Sequence, residues 1–241
     1  MRMQRKTIQF VILFASTLAV LPAQQDKPPA VRGISIPAVA GSPFSATLVL
    51  EWESESPYGD IVQRRTINII ARDARGRTRN EVRRMMPESF HGSPPLISVR
   101  LFDPETRMRT TCDLETLAGR REFVPEARAK PAKHKRNVTI EDLGASIMNG
   151  LEAKGTRRIA DAEDEDGDLV ELEDETWYSP DLHLTLLARH TDPRIGIAQT
   201  IGVSGLRREQ PPASQFDLPP GCKIQDAPPA KPEPPEEPPS S

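Results

Sequence analysis

The chain has few aromatic residues, few histidines and few cysteines. Phe, Tyr and Trp make up 5% of its 241 residues, and there are four histidines and two cysteines. The sequence contains no G-x-S-x-G, no H-E-x-x-H and no glycine-rich phosphate loop, which excludes these catalytic and nucleotide-binding motifs. The formal net charge of -3 does not favour nucleic acid as a general partner. We therefore expect no enzyme, no cofactor and no nucleic-acid partner.

Long apolar runs are also missing, apart from one near the N-terminus. A basic start precedes an apolar run over residues 10–21, and Ala23 is a small residue suited to cleavage. The run is too short to cross a bilayer comfortably. Residues 1–23 are therefore predicted to be a signal peptide, which places the protein in the periplasm or outside the cell. Membrane contact is expected only through an uncleaved signal or transiently.

The rest of the chain divides by composition into a linker, one domain and a tail. Residues 24–42 contain Pro, Ala and Gly without a clear period, which predicts a linker. Residues 225–241 include seven prolines in 17 positions, a composition that cannot bury a core and predicts a disordered tail. Residues 43–224 are left as one domain of ordinary length.

Alternating apolar and polar residues predict β-strands along this domain. Leu48, Leu50 and Trp52, for example, alternate with Val49 and Glu51. Similar runs are separated by the turn sequences DARGR, DPET, SPDL and TDPRIG. Residues 137–160 are ambiguous, and their glycines favour two short strands over a helix. The predicted fold is mainly β: a curved antiparallel sheet of the half-barrel kind, built as a meander of hairpins with few short helices.

Five segments, in this order, resemble an uncharacterised family of exported acidobacterial proteins. They are RDARGRTRNE, LFDPETRMRTTCD, EDLGASIMNGLEAKGTR, ETWYSPDLHLTLLARHTDPRIG and FDLPPGCKI, and the resemblance covers roughly residues 44–224. That family resembles, more distantly, the antiparallel half-barrels of periplasmic lipoprotein carriers and the related envelope-stress sensor domains. Their concave apolar face holds acyl chains, so the resemblance implies a binding face. The chain departs from the family at Cys222, where an aromatic is more typical, and in the acidic run before Trp177.

The expected function is that of an exported, non-enzymatic binding module for a lipid or a lipid-linked envelope partner. Its groove would be an apolar face made of Leu48, Leu50, Ile67, Ile69, Val99, Leu101, Leu184, Leu186, Ile197 and Ile201. The candidate ligand-binding residues are Leu48, Leu50, Trp52, Val99, Trp177 and Tyr178. The alternative is a structural or interaction protein of the cell envelope, in which the same face is a closed core without a small ligand.

Trp177 and Tyr178 stand beside a predicted turn at Ser179. Successive strand residues point to opposite faces, so only one of the two rings can enter the core. Trp177 shares its parity with Glu173 and Glu175, which predicts that Trp177 lies at the rim and Tyr178 inside. A rim aromatic can stack on a ligand. In the alternative interpretation, the pair only staples the sheet.

Two charged blocks and two histidines complete the candidates. Residues 64–84 hold eight arginines and residues 161–175 hold ten carboxylates. These blocks can pair across the sheet, bind an anionic lipid and a cation, or form solvated loops. His183, His190 and Asp192 lack the i, i+2 spacing that places two ligands on one face of a strand, so no metal site is predicted.

The two cysteines are an even number in a chain that is expected to be exported, where disulfides persist. Cys112 lies on a predicted return strand, and Cys222 lies at the end of the last predicted folded segment. We therefore predict a disulfide between Cys112 and Cys222.

Overall fold

The structure is a computed structural model that describes residues 33–56, 58–126, 138–164 and 166–228. These ranges contain thirteen β-strands and two single turns of 3₁₀ helix, at Pro193–Ile195 and Ala213–Phe216. The strands are β1 Phe44–Glu55, β2 Ile61–Arg72, β3 Thr78–Arg83, β4 Met86–Pro87, β5 Leu96–Asp103, β6 Met108–Asp113, β7 Ala118–Phe123, β8 Val138–Met148, β9 Leu151–Glu163, β10 Leu169–Ser179, β11 Leu184–Asp192, β12 Ile197–Arg207 and β13 Lys223–Asp226.

All thirteen strands of the described ranges belong to one sheet. β1 lies near its middle, and the chain proceeds outward from β1 to β7 at one side, with β4 as a branch on β2. β8 starts at the opposite edge, and the chain returns from β8 to β12, which pairs with β1. The predicted antiparallel fold is confirmed, as two meanders that meet at β1 and β12. The last strand, β13, was not predicted, and it pairs in parallel with β7.

The hairpin turns use residues suited to their backbone angles. Asn149 and Gly150, between β8 and β9, have φ angles of 51° and 75°. Two positive values of this kind define a type I′ turn, which Asn-Gly adopts at low cost. Between β2 and β3, the Asp73 carboxylate accepts hydrogen bonds from the N–H groups of Arg75 and Arg77. These local signals explain why one hairpin follows another along the chain.

The sheet is curved and open. Its outermost strands are β13 and β8, and these two do not pair with each other. At the tip of the β8–β9 hairpin, the Asn149 side chain donates a hydrogen bond of 2.9 Å to the Val203 carbonyl of β12. β10 and β11 separate β9 from β12 in the sheet order, so this contact requires the sheet to curl over at that end.

Strand pairing assigns the side chains to two faces. One set of alternate β1 residues is buried and defines the Leu48 face: Phe44, Ala46, Leu48, Leu50 and Trp52. The residues between them, around Val49, are half-buried or exposed and define the Val49 face. β2 pairs with β1 in a register that places Asn68 opposite Leu48 and Ile67 opposite Val49. The Leu48 face is therefore the core side of the central strands, although it includes polar residues.

Residues 33–42, here called the lead-in segment, lie against the Leu48 face. Ile34 is buried, with 7% of its surface exposed. The Gly41 N–H donates a hydrogen bond of 2.9 Å to the Ala74 carbonyl in the β2–β3 turn. This segment falls within the predicted linker over 24–42, but its described part packs as a piece of the domain.

Arg72, the last residue of β2, holds the lead-in segment to the sheet. Its side chain is fully buried. Its Nε, Nη1 and Nη2 atoms donate to the carbonyl oxygens of Ser42, Pro37 and Leu182 at 2.9, 2.8 and 2.6 Å. The guanidinium also lies 5.0 Å from the centre of the Phe44 ring. Burial lowers the pKa of Arg72, because desolvation disfavours the cation, and no ion pair with a described carboxylate offsets this effect.

The segment between β12 and β13 crosses the Val49 face of the outer strands. Arg79 of β3 donates hydrogen bonds of 3.0 Å to the carbonyl oxygens of Gln215 and Asp217. The ring of Phe216 is buried, and the Arg77 guanidinium lies 5.1 Å from its centre. This segment thus covers one face of the outer strands, while the lead-in segment lies on the other face.

The predicted disulfide is confirmed. Cys112 of β6 is bonded to Cys222, and the two Cα atoms are 6.2 Å apart. Gly119 of β7 leaves room for this junction, because a Cβ atom there would collide with Ile224 and with the sulfur of Cys222. The disulfide and the parallel pairing of β13 together fix the end of the folded chain to this side of the sheet.

Two predicted segments lie mostly beyond these elements. The predicted signal peptide, residues 1–23, lies outside the described residues, as do residues 229–241 of the predicted tail. Gln225 and Asp226, assigned to the tail from the sequence, belong to β13. In the part of the chain that the structure describes, no helix is long and apolar enough to cross a membrane.

Replacing both Cys112 and Cys222 by Ser is expected to lower the free energy of unfolding by about 4 to 5 kcal/mol. The reason is that the disulfide closes a loop of 110 residues, which restricts the unfolded chain. Urea unfolding of the oxidised protein and of the double variant measures the difference, and the protein reduced with dithiothreitol should match the variant. Equal urea midpoints for the oxidised and reduced protein would contradict this expectation.

Arg72→Met is expected to cost about 3 kcal/mol or more of unfolding free energy, since each buried carbonyl left without a donor costs roughly 1 to 3 kcal/mol. Methionine keeps an unbranched chain of similar length in the same space. The control is Arg75→Met. It removes the ion pair between Arg75 and Glu105, whose side chains are 62% and 73% exposed, respectively. This control should change stability by less than about 0.5 kcal/mol. Thermal and urea unfolding test both variants, and equal stability of the two would show that Arg72 is not a structural clamp.

Candidate functional site

The three candidate residues on β1 are buried. Leu48, Leu50 and Trp52 are 3%, 5% and 8% exposed. They share one face, and the lead-in segment lies against that face. Trp52 borders a cleft of about 270 Å³ whose other walls are mostly charged. The side chains of Leu48 and Leu50 are therefore covered within the described part of the chain, and their role as ligand-binding residues stays a prediction.

Val99 is buried as well, but it does not join this group. It pairs with Glu81 of β3 and with Cys112 of β6. The register of β3 on β2 places Glu81 on the Val49 face. The structure therefore separates Val99 from Leu48 by the thickness of the sheet.

The predicted single apolar face was wrong for three further residues. Ile67 and Ile69 lie opposite Val49 and its neighbour, and Leu101 pairs with a β3 residue on the same side, so all three belong to the Val49 face. The residue opposite Leu48 is Asn68. Period-2 alternation fixes the two faces within one strand, but the register between strands decides which faces join, and alternation does not contain that register.

The exposures of Trp177 and Tyr178 are the reverse of the prediction. Tyr178 is 39% exposed, and its hydroxyl lies 3.2 Å from Nδ1 of His183. Trp177 is half-buried, and its ring lies over Gly155 of β9, where a Cβ atom would come within 2.8 Å of the ring. The prediction that Tyr178 lies inside is therefore wrong, and Trp177, predicted at the rim, is the more buried of the two.

The partial burial of Trp177 is explained by a buried carboxylate beside it. Glu175 is 7% exposed and accepts a hydrogen bond of 2.7 Å from Trp177 Nε1. It also forms ion pairs with Arg157 and Arg189 at 3.4 and 3.1 Å. The hydrogen bond from Trp177, helped by both arginines, lowers the pKa of Glu175 against the opposing effect of burial. Because both arginines compensate its charge, the Glu175 carboxylate does not mark the solvent side of β10. Together with Trp177, Arg157 and Arg189 it links β9, β10 and β11.

The acidic block over residues 161–175 is paired with its neighbours in the sheet. Asp174 lies 3.1 Å from Arg158 and 2.7 Å from His190. Asp164 accepts hydrogen bonds from N–H groups of its own hairpin loop. This block and the arginine-rich block form their described ion pairs separately, so the alternative in which they pair with each other is not observed there.

The arginine-rich block over residues 64–84 is also paired locally. Arg79 and Arg83 bind the two carboxylate oxygens of Glu81 at 3.0 and 2.7 Å. Glu81 is 7% exposed and lies between them on β3. These two arginines are therefore engaged in the fold, whereas Arg65, Arg75 and Arg84 of the same block form ion pairs with more than half of their side chains exposed.

The histidines and Asp192 lie in three separate contacts. His183 contacts Tyr178, His190 contacts Asp174, and Asp192 accepts hydrogen bonds from Arg194. The Arg194 hydrogen bond lowers the pKa of Asp192, which also caps the 3₁₀ turn before β12. Within the described ranges, no group of three or more His, Cys, Asp or Glu side chains is arranged to hold a metal ion.

A cleft of about 510 Å³ lies between the lead-in segment and strands β3, β5 and β6, and we call it the lead-in cleft. Its apolar lining residues are Ile34, Ile36, Ala38, Phe102 and Val124, and Leu101, although its strand position belongs to the Val49 face, also borders it. Its polar lining residues are Ser35, Thr78, Asn80, Arg100 and Arg109. Asn80 pairs with Ile70 of β2, which places it on the Leu48 face. The cleft is thus a gap between the lead-in segment and this part of the Leu48 face.

The polar groups of the lead-in cleft have few partners. The exposed side chain of Arg100 forms no hydrogen bond or ion pair with a described residue, and the contact of the Arg109 side chain with Glu122 is long, at 3.4 Å. The Oδ1 atom of Asn80 is buried and has no hydrogen-bond partner among the described residues. Because buried polar atoms are normally paired, the cleft suits a ligand that brings a negative charge and a hydrogen-bond donor.

The sequence interpretation missed this cleft. The alternation of Ile34 and Ile36 around Ser35 was a signal for an extended, packed segment, but the nearby Pro and Gly residues favoured a linker. Arg100 and Arg109 stand on different strands, and their spacing in the chain does not connect them. Only the register of β5 on β6, in which Phe102 pairs with Arg109, brings them to the same cleft.

No protein-family model matches the chain, and no curated protein matches it. An uncharacterized conserved protein from Thermus thermophilus is similar in structure at 11% identity and a TM-score of 0.41, over 78% of this chain and 91% of that chain. The MucA/MucB complex of Pseudomonas aeruginosa is similar at 14% identity and a TM-score of 0.41, over 76% of this chain and 58% of that chain. A LolA superfamily protein from Nitrosomonas europaea has 11% identity and a TM-score of 0.22, over 75% of this chain and 92% of that chain.

Glu175→Gln is expected to change how stability depends on pH. The folded pKa of Glu175 lies below its ordinary value of 4.5, so the ionised group stabilises the fold above that value. This stabilisation is lost as the pH falls through the lower folded pKa. The stability difference between the wild type and Glu175→Gln should therefore be constant above about pH 5.5 and shrink below about pH 4.5. Urea unfolding over a pH series measures it, with the exposed Glu171→Gln as control, and a pH-independent difference would refute the assignment.

Proposed function

We propose that the protein is an exported, non-enzymatic binding module whose ligand is an anionic amphiphile, such as a fatty acid or an acyl chain of an anionic lipid. The proposed site is the lead-in cleft, in place of the buried residues of β1. One observation carries the proposal: this cleft combines an apolar wall, two weakly engaged guanidinium groups and a buried oxygen atom of Asn80 that lacks a partner among the described residues.

The apolar wall suits an acyl chain. Ile34, Ile36 and Ala38 of the lead-in segment face Phe102 and Val124 across the cleft. Its volume of about 510 Å³ lies within the range of roughly 300 to 1,000 Å³ that is usual for small-molecule sites. Burying a CH₂ group contributes about 0.8 kcal/mol. An acyl chain therefore supplies most of the binding free energy.

The polar wall suits an anionic head group. The Arg100 and Arg109 guanidinium groups can donate charge-assisted hydrogen bonds to a carboxylate or a phosphate. The buried Oδ1 atom of Asn80 can accept a further hydrogen bond from an anionic lipid whose head group carries a hydroxyl or an amide, a bond that a simple fatty acid does not make. These polar groups fix the orientation of the amphiphile, with its head at the arginines and its chain along the lead-in segment.

Export is supported by the disulfide and by the N-terminal sequence. A disulfide such as Cys112–Cys222 persists in oxidising compartments, which include the periplasm and the extracellular space. Residues 1–23 have the composition of a signal peptide. We retain the division into this signal, a folded domain and a proline-rich tail as part of the proposal.

A second candidate is an interaction protein of the cell envelope without a small ligand. It is favoured by the burial of Leu48 and Leu50, which closes the central part of the sheet. In this case the lead-in cleft takes up no amphiphile, and the outer surface of the domain makes the functional contacts.

The purified protein is expected to bind a fluorescent fatty acid in a direct titration. Ala38→Trp places a large side chain in the lead-in cleft and should abolish this binding. The double variant Arg100→Gln/Arg109→Gln should weaken binding of the fatty acid by roughly tenfold or more, because two charge-assisted hydrogen bonds are lost. Binding of the matching neutral alcohol should change little in the double variant.

The control is Arg65→Gln, which removes an exposed arginine on the opposite face of β2, where it pairs with Glu51. This variant should bind the fatty acid like the wild type. Unchanged binding in a folded Ala38→Trp variant would overturn the assignment of the cleft. The absence of any fatty-acid binding by the wild type, together with no lipid in mass spectra of its organic extract, would favour the second candidate.

A further inference from the structure

The strands at the two outer edges of the sheet differ in length and in how they are held. One edge ends in β13, which has four residues, pairs in parallel and is held by the neighbouring disulfide. The other edge ends in β8, which has eleven residues and pairs only with β9 among the described strands. A long edge strand presents a row of unpaired N–H and C=O groups, which is a template for another strand.

β8 also carries two exposed isoleucines on one face. Ile140 and Ile147 are each 72% exposed. They are seven residues apart, which would place them on opposite faces of a regular strand. A bulge at Leu143 changes this, because Asp142 pairs with Thr156 while Gly144 pairs with the adjacent Gly155. The bulge therefore brings both isoleucines to the same face.

We propose that β8 is the interface of a homodimer, in which the β8 strands of two copies pair in antiparallel orientation. The two-fold axis is perpendicular to the sheet and passes midway between Gly144 and the partner's Gly144. Such an axis makes the interface self-complementary and continues each face of one sheet into the same face of the other. The two open sheets then join into one.

This register matches the side chains of β8 with those of a second copy. Ile140 lies opposite the partner's Ile147, and this apolar pair occurs twice. Glu141 lies opposite the partner's Ser146, and Asp142 lies opposite the partner's Ala145, so carboxylates do not face each other. At the axis, Gly144 has no atom within 4 Å of the position that a Cβ would take, which leaves room for the close approach of the two strands.

Neighbouring two-fold registers are less favourable. An axis through Asp142 places that carboxylate opposite the partner's Asp142, and like charges directly opposite destabilise a strand pair. An axis through Ala145 places Ile147 opposite the partner's Asp142. An axis placed between two consecutive residues would set side chains of different faces opposite each other, which an antiparallel pair does not allow. Of these neighbouring registers, only the one centred on Gly144 pairs both isoleucines with apolar residues and avoids opposed carboxylates.

Sedimentation velocity over a range of protein concentrations tests the proposal. Contact along one strand pair is near the lower limit of stable interfaces, so the wild type should form a dimer that dissociates on dilution. Ile140→Glu and Ile147→Lys should each raise the dimer dissociation constant by roughly tenfold or more. The double variant Ile140→Glu/Ile147→Lys should dimerise again, because each Glu then faces a Lys of the other copy.

The control is Leu169→Lys, which changes an apolar residue that is 73% exposed on β10, away from the edge. It should dimerise like the wild type, and thermal unfolding should show that all four variants are folded. A wild type that remains monomeric, or single β8 variants that dimerise normally, would overturn the proposal. Loss of the dimer in both single variants without rescue in the double variant would overturn the register through Gly144.

Discussion

The buried guanidinium of Arg72 joins three parts of the chain that strand pairing leaves separate. Its donors satisfy carbonyl groups of the lead-in segment at Pro37 and Ser42, and of the β10–β11 turn at Leu182. Because the cation is fully buried without a described carboxylate, its desolvation must be offset by these hydrogen bonds and by the ring of Phe44. The position of the lead-in segment, and with it one wall of the lead-in cleft, therefore depends on this side chain.

Much of the sheet could be predicted from local signals. Alternation around Leu48 indicates a strand with one buried face, and turn residues such as those between β8 and β9 indicate hairpins. The order of the strands within each meander follows from these hairpins, but the junction of β1 with β12 and the pairing of β13 do not. Its parallel pairing with β7 depends on a contact between distant segments, and the Pro-rich composition after Cys222 gives no sign of it.

The candidate site could be predicted only in part, because it depends on quantities that are not periodic. The prediction that Trp177 and Glu175 share one face of β10 was correct. Their burial, however, depends on Arg157 and Arg189 from the adjacent strands. Likewise, whether Ile67 shares a face with Leu48 is decided by one register between β1 and β2. Most polar and charged side chains of the sheet are paired with one another, and Arg100 and Asn80 are among the exceptions in the described residues, which is why the proposed site is built on them.

The junction of β1 and β12 has a consequence for the order of folding. Thr47 and Ser204 face each other in this junction although they are 157 residues apart in the chain. The centre of the sheet therefore cannot form until nearly the whole domain has been synthesised, and contacts of such long range make folding slow. We propose export for this chain, and in an exported chain such a delay keeps the polypeptide unfolded during its passage across a membrane. In that case the disulfide, which needs the last folded residues, closes only on the far side.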